Sequence, residues 1–242
     1  MAEYLDSFTD AYEESFSYAL DNRLILNWYP ERIIKLTQGQ SSLELGLGHG
    51  YSALRFAQSF TRHVVIEGSA EIIKQFKGKN SESNVEIIHS LFEDFDTTEK
   101  FDTIIMGFIL EHVDEPGAIL VKYQKYLKPG GSLFVTVPNC QALNKRLGYE
   151  AGLLKSLWEL GVGDIALGHK QLFSVQSLTH LVESKGYQID ATEGLLLKPI
   201  TTQQMIDLKL SEKILQAMLM VGIDYPELCV GILMKLGIQE GG

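Results

Sequence analysis

The sequence predicts an α/β fold in which a sheet of parallel strands is covered by helices on both faces and topped by a helical cap. Three observations carry that prediction. From about residue 40 onward, short runs rich in Val, Ile and Leu alternate with segments of helical spacing. The first run, "SSLELG", leads straight into Gly46, Gly48 and Gly50. Helical segments also stand before the first strand and interrupt the alternation late in the chain.

Taken in order, the first forty residues read as helix. Tyr4, Phe8, Tyr12, Phe16, Leu20, Leu24, Ile25 and Trp28 recur at threes and fours. Pro30 suits the first turn of a second helix over 31–37, where its missing N–H costs nothing. Strand "SSLELG" is followed by helix "YSALRFAQSF", strand "HVVIEG", helix "AEIIKQFKG" and strand "NVEIIH". The fourth strand is "FDTIIMGF", then comes a helix around "PGAILVKYQKYL", and the turn "KPGG" enters the fifth strand, "GSLFVTV".

The segment from Asn139 to Lys170 breaks the rhythm with one or two short helices. The alternation resumes with helix "SVQSLTHLVESKG" and strand "YQIDATEGLLLKP". One long helical stretch, "TTQQMIDLKLSEKILQAMLMVG", leads to the seventh strand, "ELCVGILMKL". The expected organisation is therefore an N-terminal helical cap over 1–39, a core over 40–138, an inserted helical cap over 139–173, and the remainder of the core over 174–242. Both caps flank the strand ends where open α/β sheets bind their ligands.

Composition narrows the function. A formal charge of −10 opposes nucleic-acid binding through a basic face. Cys140 and Cys229 are too few for a disulfide framework or a zinc site, which fits a reducing compartment. The opening "MAEYLDSFTDAYEE" is acidic from its third residue, unlike a signal or transit peptide, and no apolar run approaches the ~20 residues of a membrane span. The expectation is a cytoplasmic protein with no membrane partner. No metal is expected either, because the fourth strand ends in "GFIL" without a cluster of carboxylates.

Glycine has the most backbone freedom to lose, so three of them after a buried strand suggest that a ligand approaches the backbone. The dinucleotide fingerprint G-x-G-x-x-G would need its third glycine at 51, where this chain has Tyr51. Glu67 ends the second strand 21 residues after Gly46, where an acid can accept bonds from both hydroxyls of a ribose. Glu44 lies inside the first strand. A buried charge there calls for a partner, and a ligand with an ammonium or sulfonium would supply one, whereas a pyrophosphate would be repelled.

With "LELGLGHG", Glu67, "FDTIIMGFILEHVDEP" and "LKPGGSLFVTVPN" in this order and spacing, the chain resembles the class I S-adenosylmethionine-dependent methyltransferases over residues 40–138. It looks most like the small-molecule branch of ubiquinone-pathway and natural-product enzymes. The resemblance implies a Rossmann-like sheet with an antiparallel last strand, and S-adenosyl-L-methionine as cofactor. It implies that Gly46, Gly48 and Gly50 pass under the methionine part, that Glu44 anchors that end electrostatically, and that Glu67 holds the ribose with Gly68 leaving room beside it. Leu91 and Phe92 would bracket the adenine; relatives often carry an acid about where Ser90 stands. Gly107 and Leu110 would touch the methionine moiety.

The acceptor side is read from the caps. His169, at the end of the insertion, is the candidate general base, and titration near 6.5 suits proton removal at neutral pH. His112 is a weaker candidate with a structural alternative, orienting a loop or capping a helix. Among relatives an N-terminal tyrosine often closes over cofactor or substrate, which points to Tyr12 and Tyr18. Lys145, Arg146, Lys155 and Lys170 make the insertion locally basic; they are either solvated or face an anionic acceptor. The expected function is methyl transfer to an O or N atom of a small-molecule acceptor, mainly by positioning. A non-catalytic cofactor-binding partner or regulatory subunit is the alternative, and a nicotinamide dehydrogenase fits less well. Aromatic N-terminal helices and an apolar last strand leave a homodimer open.

Overall fold

The structure is a computed structural model that describes residues 19–239. Tyr12 and Tyr18 therefore lie outside the described residues. Seven strands form one sheet: β1 (Ser41–Leu45), β2 (Arg62–Glu67), β3 (Glu86–His89), β4 (Phe101–Gly107), β5 (Leu127–Pro138), β6 (Tyr187–Leu195) and β7 (Gly231–Ile238). Their order is β3-β2-β1-β4-β5-β7-β6. Pairing is parallel from β3 through β5, and β7 runs antiparallel to both β5 and β6. The order reverses between β1 and β4, and that reversal opens a crevice beyond the carboxyl ends of the two strands.

Side-chain alternation along the strands builds one core on each face. Leu43, Leu45, Ile104, Met106, Leu133 and Val135 pack to one side. Ile105, Phe134 and Leu233 pack to the other, against the helix α1 (Ala19–Leu36). The predicted break before Pro30 is absent: α1 is one helix with Pro30 inside it. Proline there removes a backbone bond. Burial of Leu24, Ile25, Trp28, Tyr29 and Ile33 on one side holds the helix together across the gap.

Between the strands run α2 (Tyr51–Ser59), α3 (Ala70–Lys79) and α4 (Pro116–Gln124). The insertion forms α5 (Leu143–Glu150) and α6 (Val162–Ala166), and α7 (Val175–Ser184) leads back to the sheet. Two further expectations change. "KPGG" lies within β5, where the pairing with β4 shifts register between Phe101 and Thr103. A Cβ on Gly131 would stand 3.0 Å from the Asp102 carbonyl oxygen, so this kink needs glycine. The long helical stretch is two helices, α8 (Thr202–Asp207) and α9 (Glu212–Gly222). They part where Lys209 takes φ 51° and Ser211 caps α9 by accepting from the Ile214 N–H.

Candidate functional site

The carboxyl ends of β1, β2 and β4 open into a cavity of about 790 Å³, walled by the insertion and by α1. That size suits a cofactor and a small acceptor together. The floor is the loop after β1. Gly46, Gly48 and Gly50 have φ of 84°, 48° and 77°, all in the left-handed region. A Cβ on Gly50 would stand 2.4 Å from the Phe76 ring, and one on Gly46 would stand 3.2 Å from Ile109. The glycines are thus required by the turn itself, and at their own positions they leave the cavity floor bare backbone.

Glu67 holds this loop. Its carboxylate accepts the Leu47 N–H at 2.9 Å and the Ser69 N–H at 2.8 Å, and the side chain lines the cavity. Burial raises its pKa, while these backbone donors pull it back down. Gly68, Leu91 and Phe92 line the same wall. Ser90 does not; its hydroxyl turns back to donate to the Leu91 carbonyl. The acid that does reach the cavity from this loop is Glu93. Gly107 lines it too, and a Cβ there would come within 2.8 Å of the Tyr29 hydroxyl, so its bareness admits a tyrosine from α1.

Two expected cofactor residues stand elsewhere. Glu44 does not line the cavity. It is buried, with Oε2 3.2 Å from His63 Nε2, at an angle outside the hydrogen-bonding range, while His63 Nδ1 bonds Ser42 Oγ at 2.8 Å. The side chain it faces is thus His63 of β2 and not a group in the cavity. Leu110 is fully buried in the core, and its carbonyl accepts from Gln171. Phe108 has φ 56°, and past that turn Ile109 lines the cavity while Leu110 packs into the core.

The insertion brings the two histidines together. Lys170 N–H donates to the Glu111 carbonyl at 2.8 Å, and Gln171 Nε2 donates to the carbonyls of Leu110 and Val113. These bonds staple the end of the insertion to the loop after β4. The rings of His112 and His169 lie 4.9 Å apart, edge to face. His169 Nδ1 meets Asp164 Oδ1 at 3.1 Å. Burial raises the Asp164 carboxyl, but His169 and Lys145 together hold it below the usual range. Burial pushes His112 down to about 4, with the neighbouring His169 adding to the shift.

Glu111 was missed in the sequence. It is 1% exposed, lines the cavity, and neither carboxyl oxygen has a hydrogen-bond partner. Burial drives its pKa up to about 8, so it is mostly protonated at pH 7. Among the described residues, Glu111, His112 and His169 form a group whose ligand atoms lie within 4.8 Å of one another. The basic residues of the insertion divide. Lys145 and Lys170 line the cavity, each beside an acid, Asp164 at 3.8 Å and Asp114 at 2.6 Å. Arg146 bonds Gln141, and neither it nor Lys155 lines the cavity.

Fold and crevice together define an α/β domain that binds ligands at the switch point of its sheet. The chain belongs to the class I methyltransferases, which use S-adenosylmethionine: residues 20–192 match the family described as a methyltransferase domain. It is 29% identical over 101 residues to the cypemycin N-terminal methyltransferase of a Streptomyces species, covering 40% of this chain and 41% of that one. It is 30% identical over 105 residues to a ubiquinone biosynthesis O-methyltransferase of Xanthomonas oryzae, covering 42% and 44%. The matches thus span about two-fifths of these curated relatives' length. A solved structure from Thermotoga maritima, described as a possible histamine N-methyltransferase, shares the fold with TM-score 0.65 at 18% identity over 99% of both chains.

Proposed function

We propose that this chain binds S-adenosyl-L-methionine and transfers its methyl group to an O or N atom of a small-molecule acceptor. The observation that carries the reading is the single cavity whose floor is the glycine loop tied to Glu67 and whose wall carries the His169–Asp164 pair. Gly46, Gly48 and Gly50 would lie under the cofactor, Glu67 and Gly68 beside its ribose, Leu91 and Phe92 around its adenine, with Glu93 in reach of the amine. Gly107 and Ile109 border the methionine end, and Glu44 acts on it only through the field of its buried charge.

When bound, the cofactor supplies a methyl group already activated by positive sulfur. The protein's task is placement, which accounts for several kcal/mol of barrier reduction. His169 accepts a proton from the acceptor, and Asp164 orients its ring through Nδ1, leaving Nε2 as the free nitrogen. The helix α1 and the insertion over 139–173 would exclude water.

In this reading no metal takes part, so EDTA leaves the rate unchanged; abolished turnover would make Glu111, His112 and His169 a metal site. A small-molecule acceptor rather than nucleic acid is the partner in this reading, in keeping with the net charge of −10. No helix among the described residues is long and apolar enough to cross a membrane. Cys140 and Cys229, buried as free thiols, suit the reducing cytoplasm. A homodimer remains part of the reading, tested by light scattering.

The test is a screen of phenols and amines for formation of S-adenosylhomocysteine by mass spectrometry. With an acceptor found, His169→Ala is expected to slow turnover about 10²–10⁴-fold while leaving the affinity for S-adenosylhomocysteine unchanged. Turnover at the parent rate, with the same pH profile, would remove His169 from the chemistry. A folded protein that binds the cofactor and methylates nothing in a broad screen would favour the non-catalytic partner.

A further inference from the structure

One polar cluster in the cavity is used neither by the cofactor nor by the histidine pair. Asp21 on α1 pairs with Lys198, which follows β6, and Thr202 of α8 bonds to both: its hydroxyl donates to Asp21 Oδ2 and accepts from Lys198 Nζ, each at 2.9 Å. Asp21 is 4% exposed and Lys198 3%. Both line the cavity. Asp21 Oδ1 is buried without a hydrogen-bond partner. The Lys198 ammonium has three N–H donors and spends two on Asp21 and Thr202.

A buried ion pair seldom contributes to stability by itself, and an unmet buried acceptor costs free energy. The pair therefore presents a demand: one acceptor to be met on Asp21 and one donor to spare on Lys198, within a pair of opposite charges. We infer that Asp21 and Lys198 form a recognition subsite for a neutral hydroxyl or carboxamide on the methyl acceptor. Such a group donates to Asp21 Oδ1 and accepts from Lys198. An ammonium would be repelled by Lys198 and a carboxylate by Asp21.

Its place on α1 assigns it to the acceptor. Asp21, Ile25 and Tyr29 recur every four residues on the helix face that lines the cavity. Tyr29 reaches Gly107 at the end of β4. Asp21 stands eight residues from Tyr29, about 12 Å along the helix, so it lies well away from the cofactor floor. Ile25, Tyr29 and Phe108 supply apolar wall between, which suits an acceptor with an aromatic or aliphatic body and a polar end. This inference rests on the methyltransferase reading for the word acceptor, and on the cavity alone for the ligand's chemistry.

The test uses benzyl alcohol, benzylamine and benzoate as probes of one shape and three charges, titrated by saturation-transfer NMR with and without saturating S-adenosylhomocysteine. Benzyl alcohol is expected to bind at least fivefold more tightly than either charged probe. Lys198→Met, which leaves a net negative site, is expected to shift preference to benzylamine, and Asp21→Asn to benzoate. Equal binding of all three probes by the parent protein, or an unchanged order in the folded variants, overturns the subsite. Should a variant fail to fold, the parent's order of preference still decides. If S-adenosylhomocysteine itself does not bind, the methyltransferase reading fails, while the probe order measured without it still judges the subsite.

Discussion

Glu67→Ala is expected to lower the affinity for S-adenosylhomocysteine at least tenfold, about 1.4 kcal/mol or more. The loss has two parts. A carboxylate facing the ribose disappears, and the Leu47 and Ser69 N–H groups lose the acceptor that ties the glycine loop to the end of β2. Each unpaired buried amide costs about 1–3 kcal/mol, so the variant also melts at lower temperature. Glu67→Gln separates the parts: it keeps an acceptor for the loop and loses the charge, so it should retain more stability than the alanine variant while still binding weakly. Parent-like affinity in the folded alanine variant, read by calorimetry, would take Glu67 out of the site.

The second large effect is a loss of stability toward alkaline pH, traced to Glu111. Burial raises this carboxyl from its ordinary 4.5 to about 8. Between those values the folded chain holds a proton that the unfolded chain has released. This group's contribution is therefore complete below pH 4.5 and is lost as pH rises through 8. His112, lowered from 6.5 to about 4, has the opposite sign: stability from it grows between pH 4 and 6.5 and is then constant. The two slopes oppose each other up to pH 6.5. Above it Glu111 acts alone of the two, and about 2 kcal/mol is expected to be lost between pH 6.5 and 8.

Urea denaturation of the parent and of Glu111→Gln at both pH values checks this. The parent weakens and the glutamine variant, with nothing to ionise there, weakens less by about that amount. Glu67, also raised by burial, adds the same slope to both proteins, so the difference isolates Glu111. Equal slopes would mean that Glu111 is ionised in the folded protein across this range.

The sheet and the cavity floor were legible because their signals are local. Strand period, helix period and glycines at left-handed φ are written within a few residues of where they act. The resemblance then supplied the reversed last strand, which the β5–β7 register bears out. What stayed hidden depends on residues far apart in the chain. Glu44 finds His63 because β1 and β2 pair Ser42 with His63, a register no single strand discloses. Pro30 stays inside a helix because tertiary burial outweighs one lost bond. Leu110 turns inward because Phe108 adopts φ 56°, a conformation that a phenylalanine does not announce. Glu111 stood in plain view in "LEHVDEP", yet its isolation is visible only once the insertion folds over it. Asp21 and Lys198 are 177 residues apart, and only packing makes them one site.

The cavity is proposed to hold S-adenosylmethionine. Titration calorimetry of the chain with S-adenosylmethionine, S-adenosylhomocysteine and NAD, side by side, tests it most directly. Micromolar binding of both sulfur nucleosides and none of NAD is expected. Silence from both in a folded, ligand-free protein, or binding of NAD in their place, would contradict it.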